Sequence, residues 1–422
     1  MKNLFRKRTI IVLLLALSLV FGAAFAGCSK STVDESSLSG NNGELSSSGD
    51  STPQFDESIT AYIYATEATR EAWTLAIQDF ENANGISVEA TIGDDIADKL
   101  RSDILAGKIP DVVFLPSWEG SGVTEALIAD NALADLSDLG LGGVSNSYCQ
   151  PYGDGKTYIA PVGKTVYGVW YDASKVTAPP ADLAALASYK PEDDSAVLAF
   201  AGKDADSLRG LFVSAVLANA DAAAADKIFA GDSDIWDDAN VKNALSALAG
   251  LSADGVILEN SYEYSQGDVV LALANGEAAF GVLTNVDKAI AEAVELAKVA
   301  SEGVTAEEVS SIQLKFLPLG DTAFAQLGDL YIPVEAKNIE GAKKFVSAIA
   351  AADMSALNGN SADAANVYCY RAADSLLERR IVNVLTSVLY GDTSADAFAA
   401  HIQDYIADAA ASEASSEAAD AE

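Results

Sequence analysis

Apolar and polar residues follow two different periods along the body of the chain. Residues 59–64 are rich in β-branched and aromatic side chains, which favours a strand, and residues 69–84 carry their large apolar side chains on one helical stripe. A second strand is predicted at 86–92 and a second helix at 94–106. Residues 111–115 are almost continuously apolar, as in a parallel strand that is covered on both faces. This β-α-β-α-β order predicts an α/β fold.

The same alternation continues to the end of the body. Further strands are predicted at 167–171, 196–201, 278–283, 312–318 and 330–333. Further helices are predicted after 201 and at 241–251, 268–275, 285–300, 339–352, 380–389 and 396–407. A body of about 350 residues is too long for one ordinary core, so we expect two domains. Because no long polar linker interrupts it, the chain should cross between the domains more than once.

The N-terminal residues have the layout of a secretory signal. Residues 1–27 begin with four cations, continue with an apolar run at 10–19 and end in small residues. The run is shorter than the ~20 residues that a membrane-spanning helix needs, which disfavours the alternative of an uncleaved anchor with an incidental Cys. The sequence Phe25-Ala26-Gly27-Cys28 resembles the bacterial lipobox, in which the Cys becomes lipid-modified, so we expect lipidation at Cys28.

Two segments lack the apolar residues that a core requires. Residues 28–57 are rich in Ser, Gly, Asn and acidic residues and are interpreted as a flexible tether between lipid and domain. Residues 408–422 contain only Ala, Ser, Glu and Asp, and we expect a frayed, solvated acidic tail.

Charge and rare residues exclude several classes of function. The formal net charge is −36, so nucleic acid is excluded as a partner, because phosphate binding needs clustered cations. The lipid, rather than a basic surface, must hold the protein at a membrane. The single histidine, His401, falls in a helical pattern and is expected at the surface, which leaves Ser–His or Cys–His hydrolysis without support. Cys149 and Cys369 could form a disulfide after export, and the spacing alone leaves this open.

Several segments, in order, resemble the family-1 extracellular solute-binding proteins of ABC importers, the maltose-binding-protein-like group. They are Glu67–Asn84 with Val88–Ile92, Gly107–Val113, Gly155–Val162 followed by Val169–Asp172, Asn275–Phe280, Leu330–Pro333 with Lys337-Asn338, and Ala342–Phe345. The resemblance covers Ser58 to about Ala407. It implies a binding protein and not an enzyme, with no cofactor and no metal. It also implies a monomer that delivers its ligand to ABC permease subunits.

The resemblance further implies the two-lobed periplasmic-binding-protein type II fold, with hinge strands near Gly163–Tyr167 and Phe316–Leu319. The lobes that it implies are an N-terminal lobe at 58–164 and 318–360 and a C-terminal lobe at 165–317 and 361–407. Ligand is expected between the lobes, at the carboxyl ends of the strands. The lipid tether favours a cell with a single membrane, from which an untethered receptor would diffuse away.

The strand-end loops supply the candidate ligand-binding residues. They are Thr66, Glu67, Trp118, Glu119, Thr165, Tyr167, Asp204, Arg209, Thr284, Asn285 and Tyr370. Trp118 is the first choice, because a flat aromatic face beside carboxylates suits the C–H faces and polar rims of a sugar. Its alternative is a packing role on the lobe surface, and Asp204 and Arg209 could equally form a solvated helix start. The family often carries a Trp after residue 283, and this chain does not; Tyr264, Tyr368 and Tyr370 could replace that ring.

These residues predict a carbohydrate ligand, and an oligosaccharide in particular. A polyamine or another small polar solute is the alternative, since Glu67, Glu119 and Asp204 could bind amines. Ferric iron is disfavoured because no His is expected at the site, although the paired Tyr262 and Tyr264 leave it open. A lipid-anchored glycosidase would need two carboxyls about 5–9 Å apart at an open subsite.

Overall fold

The computed structural model describes residues 57–117, 122–141, 148–191, 195–253, 255–300, 303–358, 366–371 and 375–420. Cys28, Trp118 and Glu119 lie outside these residues, as do the predicted signal segment and all but the last residue of the predicted tether. The described elements alternate between strands and helices, so the predicted α/β class is confirmed.

The strands, in chain order, are β1 (Glu57–Tyr64), β2 (Ile86–Gly93), β3 (Val112–Pro116), β4 (Ala160–Asp172), β5 (Ala196–Phe200), β6 (Ala278–Leu283), β7 (Leu314–Phe316), β8 (Ala323–Tyr331) and β9 (Val367–Tyr368). The α-helices are α1 (Glu67–Asn84), α2 (Ile96–Leu105), α3 (Val123–Ala129), α4 (Leu183–Ala187), α5 (Ala205–Asn219), α6 (Ala222–Phe229), α7 (Ala239–Gly250), α8 (Gln266–Asn275), α9 (Val286–Val299), α10 (Ala306–Ser310), α11 (Ile339–Ala351), α12 (Ser375–Leu389) and α13 (Ala395–Asp420).

The residues fall into two compact units, each assembled from segments that are far apart in sequence. Among the described residues, the first comprises those at 57–115, 122–134 and Tyr331–Ala348, and the second comprises 116–117 and the described residues within 135–330 and 349–420. The lobe boundaries implied by the family resemblance are a finer division and stay a prediction.

In the first unit, β1 is the central strand and pairs in parallel with both β2 and β3. The carboxyl ends of the three strands therefore meet at one edge. Helix α1 buries Trp73, Ile77 and Phe80, and the rings of Trp73 and Phe114 lie 4.5 Å apart. The apolar stripe predicted for residues 69–84 is thus confirmed as the core-facing side of this helix.

A buried carboxylate, that of Asp111, joins β1 to the chain before α11. Its oxygens accept hydrogen bonds from the backbone N–H and hydroxyl of Thr60, at 2.8 and 2.9 Å, and from the backbone N–H groups of Lys337 and Asn338, at 2.7 and 2.8 Å. Burial raises the pKa of Asp111, but these hydrogen bonds favour the charged form more strongly, so the net pKa lies below its usual value.

In the second unit, the long strand β4 changes partners along its length. Its first part pairs antiparallel with β8, and its last part pairs antiparallel with β6 and β7. The register shifts between Val162 and Lys164, where Gly163 has a φ of 76°. A Cβ at Gly163 would lie 2.8 Å from the Cβ of Leu357, so glycine is required here both by backbone conformation and by space.

Strands β5 and β6 are parallel, so their carboxyl ends lie at one edge of the second unit. Gly168 of β4 pairs with Leu283, the last residue of β6, which brings the middle of β4 to the same edge. Helices α5 and α9 begin directly after β5 and β6. The carboxyl ends of β5 and β6 and the N-termini of α5 and α9 therefore lie at this edge of the second unit.

Two expectations differ from the structure. Helix α13 continues to Asp420, so the tail predicted to fray at 408 is helical over most of its length. The strand predicted at 330–333 is instead the end of β8, which begins at Ala323 and is buried at every position. Its Gln326 and Asp329 interrupt the apolar pattern, and burial on both faces removes the alternation that identifies a strand from sequence.

Candidate functional site

Thr66 and Glu67 lie at the carboxyl end of β1 in the first unit, where α1 begins. Both are exposed, and the Thr69 hydroxyl accepts a hydrogen bond from the Thr66 backbone N–H at 3.0 Å. The positive end of the helix dipole and two accessible polar side chains therefore meet at this strand end. Trp118 and Glu119, which follow β3, lie outside the described residues, and their assignment stays a prediction.

Asp204, Thr284 and Asn285 meet at the strand-end edge of the second unit. The side-chain amide of Gln266 donates to the Asp204 carboxylate at 2.8 Å and accepts from the Thr284 backbone N–H at 3.1 Å. Asp204 also caps α5 by accepting from the Asp206 backbone N–H, and Asn285 caps α9 by accepting from the Lys288 N–H. Gln266 thus links the turns that follow β5 and β6 into one polar network.

Arg209 continues this network toward α12. Its guanidinium forms ion pairs with Asp206 at 2.8 Å and with Glu378 at 2.6 Å. The Tyr370 hydroxyl donates to the same Glu378 carboxylate, and the Arg209 guanidinium lies 6.0 Å from the centre of the Tyr167 ring. We refer to Asp206, Arg209, Tyr370 and Glu378 as the Arg209 cluster.

The surrounding groups keep Arg209 charged. Burial lowers the pKa of Arg209, but Tyr370, Asp206 and Glu378 outweigh that effect and the net pKa is raised. Burial raises the pKa of Tyr370 far above its usual value; Arg209 opposes this and Glu378 adds to it, so the phenol stays protonated as a donor. The pKa of Asp206 is also raised by burial, with Arg209 opposing the shift. The positive charge of Arg209 is therefore already balanced within the protein.

The aromatic candidates pack in the interior and do not form an exposed surface on which a solute could stack. Tyr167 is 3% exposed and Tyr370 is 6% exposed. The Tyr370 ring stacks on Phe229 with centroids 3.6 Å apart, and Tyr368, which is also buried, donates its hydroxyl to Asp226. These rings cannot lie flat against a solute in this arrangement.

Other candidates at this edge retain accessible polar atoms. Thr165, Asp204 and Asn285 are each partly exposed, and Thr165 shares a face of β4 with Tyr167 because the two lie two positions apart. Tyr262 is 48% exposed and packs against Gly202, immediately beyond β5, while Tyr264 is half-buried beside it. Among the described residues, this edge therefore offers hydroxyl, amide and carboxylate groups, and the Tyr262 backbone lies beside it while the Tyr262 ring packs against Tyr390.

Three members of this arrangement were not predicted from the sequence. Gln266 lies in the first turn of α8, and its only signal was its position after the capping Ser265. Asp206 stands three residues before Arg209, a spacing that indicates an ion pair on a helix. Glu378 is separated from Arg209 by 169 positions, so no local pattern could have shown it.

Comparison with known proteins identifies the family. Residues 76–359 match the family model of the bacterial extracellular solute-binding proteins. The chain therefore belongs to the bacterial extracellular solute-binding proteins. A comparison with curated proteins finds no match.

Solved structures show the same fold at low sequence identity. The bacterial solute receptor AcbH is 17% identical, with a TM-score of 0.64 over 82% of this chain and 98% of its own. RafE from Streptococcus pneumoniae is 17% identical in its apo form, with a TM-score of 0.61 over 84% of this chain and 98% of its own. RafE in complex with raffinose is 18% identical, with a TM-score of 0.52 over 83% of this chain and 98% of its own. The predicted solute-binding-protein fold is confirmed.

Family membership establishes the class of protein and its location in the cell. These proteins are solute receptors, so the prediction that the chain is not an enzyme is confirmed, and an extracellular family places the chain outside the cytoplasm. Among the described residues, no helix has the length and apolar character needed to cross a membrane. The same part of the chain contains no group of three or more His, Cys, Asp or Glu arranged to hold a metal ion.

Proposed function

We propose that the protein captures a carbohydrate, and an oligosaccharide in particular, outside the cytoplasm and delivers it to the permease subunits of an ABC importer. The observation that carries this proposal is the similarity in fold to AcbH, whose described preference is β-D-galactopyranose, and to RafE, which was solved with raffinose. Both proteins match over almost their whole length.

The chemistry of the second unit supports a neutral, hydroxyl-rich solute. Thr165, Asp204 and Asn285 offer donors and acceptors of the kind that sugar hydroxyls use. Arg209 is held by two carboxylates, so an anionic ligand group would have to compete with charges already paired. A polyamine remains the alternative, because Asp204 and Glu67 could bind ammonium groups.

A thermal-shift panel tests the ligand class. The panel contains galactose, raffinose, stachyose, maltose and a xylo-oligosaccharide, with spermidine as the competing solute. A ligand present at 1,000 times its Kd stabilises the native state by about 4.1 kcal/mol, which raises the Tm by several degrees. We expect at least one sugar to do so; a shift with spermidine and none with any sugar would replace the carbohydrate by a polyamine.

Asp204 provides the matched variant for this test. Asp204→Ala and Asp221→Ala each remove an N-cap carboxylate, from α5 and α6 respectively, and each should cost about 1 kcal/mol of stability. Only Asp204 lies at the strand-end edge, so only Asp204→Ala should weaken sugar binding by calorimetric titration, by roughly tenfold or more for a lost charged hydrogen bond. Equal affinities for the two variants would remove Asp204 from the site.

We further propose that lipid on Cys28 anchors the protein and that residues 28–57 tether it. The lipobox-like sequence before Cys28 and the acidic composition of the chain support this, since a strongly negative protein needs an anchor other than its surface. Fatty-acid labelling and fractionation test it: Cys28→Ala should lose the label and leave the membrane fraction, whereas Ser29→Ala should keep both. Membrane retention of unlabelled Cys28→Ala would refute the lipid anchor. We propose a monomer, which light scattering of the purified protein would test.

A further inference from the structure

Two cysteine side chains that the ligand-binding proposal does not use lie in the interior of the second unit. Cys149 and Cys369 are each 2% exposed, and both are free thiols in this structure. Cys149 precedes β4, and its carbonyl accepts a hydrogen bond from the Tyr158 backbone N–H at 3.0 Å. Cys369 directly follows β9, which pairs in parallel with the start of β8. Both backbones are therefore fixed by neighbouring structure.

The residues beside the two cysteines are in direct contact. Arg371 donates from Nε to the Tyr148 carbonyl at 3.2 Å, across 223 positions of sequence. The Arg371 guanidinium also lies over the Tyr148 ring, 4.3 Å from its centre. Cys149 is the neighbour of Tyr148, and Cys369 stands two positions before Arg371. The contact between Tyr148 and Arg371 therefore brings the two cysteine-bearing segments together.

A buried acidic residue holds this arrangement in place. Asp329 of β8, which is fully buried, forms an ion pair with Arg371 at 2.7 Å and accepts a hydrogen bond from the Tyr148 hydroxyl. Breaking a buried pair of this kind leaves an uncompensated charge, so the two segments are held firmly. Burial, and then Cys369, raise the pKa of Cys149 to about 12.

We propose that Cys149 and Cys369 form an intramolecular disulfide in the exported protein. The two thiols lose two protons and two electrons as the Sγ–Sγ bond forms. The oxidant is the disulfide form of an extracytoplasmic thiol–disulfide carrier, which takes up those protons and electrons and becomes a dithiol. The location outside the cytoplasm, which the family establishes, is where such bonds persist.

The bond would close a loop of roughly 220 residues, and long loops give the largest restriction of the unfolded chain. It would fix the segment 366–371, which carries Tyr370 of the Arg209 cluster, against the chain that enters β4. Because a thiol with a raised pKa is a poor nucleophile, the bond should form while the chain folds and not after Cys149 has been buried.

Peptide mass mapping of the wild-type protein tests the proposal directly. The full chain, recovered from the exported fraction of bacterial cells, is denatured and alkylated with iodoacetamide without reductant and then digested with trypsin. We expect peptides 109–156 and 345–371 to appear joined, two hydrogens lighter than their sum, and to separate on reduction. Quantitative alkylation of both cysteines without reductant would overturn the proposal.

A stability comparison provides a second, independent measurement. Wild-type protein that is unfolded and refolded in TCEP should melt about 5 °C below the oxidised protein, as expected for loss of a disulfide. The matched control is Cys149→Ala/Cys369→Ala, whose melting temperature should not change with TCEP treatment. Refolding in oxidised glutathione should restore the wild-type value. A wild-type melting temperature that is the same with and without TCEP would contradict the disulfide even if the double variant does not fold.

Discussion

Replacing Asp111 by Asn measures how much a single buried carboxylate contributes to the first unit. The wild-type carboxylate accepts four hydrogen bonds, two from Thr60 on one oxygen and two from the backbone of Lys337 and Asn338 on the other. An amide can present an acceptor on one side only. If its nitrogen faces Thr60, the Thr60 hydroxyl can reorient to accept, but the Thr60 backbone N–H meets another donor.

The magnitude follows from these contacts. A hydrogen bond to a charged group contributes about 1.5–3 kcal/mol, and an unsatisfied buried N–H costs a similar amount. Asp111→Asn should therefore lower the free energy of unfolding by about 3 kcal/mol in urea titrations at pH 7. The control is Asp98→Asn, in which the carboxylate is 82% exposed and pairs with Arg101 on the same helix. That change should cost less than about 0.5 kcal/mol.

The pH dependence gives the same experiment a second outcome. The pKa of Asp111 is lowered in the folded protein, so its contribution is fully present above the unfolded pKa and is lost as the pH falls through the folded value. The stability difference between wild type and Asp111→Asn should therefore shrink as the pH falls below the unfolded pKa of about 3.9 and through the lowered folded pKa. A difference below 0.5 kcal/mol at pH 7, or one that does not change with pH, would refute this reasoning.

Two further substitutions test the second unit, each against a matched control and each read by thermal melting and urea unfolding. Gly163→Ala should destabilise the protein by about 2 kcal/mol or more, because the position has a φ of 76° and the new Cβ would contact Leu357. The control, Gly250→Ala, places a Cβ in open space on a helix and should stabilise the protein slightly. Equal effects of the two substitutions would contradict this explanation. Arg209→Met should cost about 1.5–3 kcal/mol, because it removes the ion-pair partner of Glu378, whose side chain is 18% exposed, and of Asp206, whose side chain is 39% exposed. The loss should be smaller at low pH, because the raised pKa of Asp206 leaves that carboxyl protonated there. The exposed Lys298→Met should cost under about 1 kcal/mol, and a similar loss for both would show that burial of the Arg209 pairs is unimportant.

Local patterns in the sequence were sufficient wherever an element has one buried face. The stripe of Trp73, Ile77 and Phe80 indicated α1 and its inward side, and Gly85 after it adopts the left-handed conformation that ends the helix. Strand β6 was predicted with the bounds that the structure has, 278–283. His401 is exposed on α13, as predicted. In each case the residues within one turn or one strand carry the information, because the periodicity of burial is a local property.

Local sequence patterns predicted only part of the candidate site. Their positions after strands singled out Asp204, Thr284 and Asn285 as candidates, and the structure links the first two through Gln266. The prediction could not show that Tyr167 and Tyr370 are buried, because their covering partners come from other elements. Whether any of these residues contacts ligand stays a prediction.

The sequence by itself determined the class of fold, the order of most elements and, through the resemblance of several short segments, the family. Only the tertiary structure decided the partners of the buried charges. Asp111 joins residues more than 200 positions later, Arg209 reaches Glu378, and Asp329 holds Arg371 beside Tyr148. A buried charge is stable only when it is paired, and the chain brings its partner from whichever segment folds against it. Periodicity records which side of an element is buried, but it does not record what that side contacts.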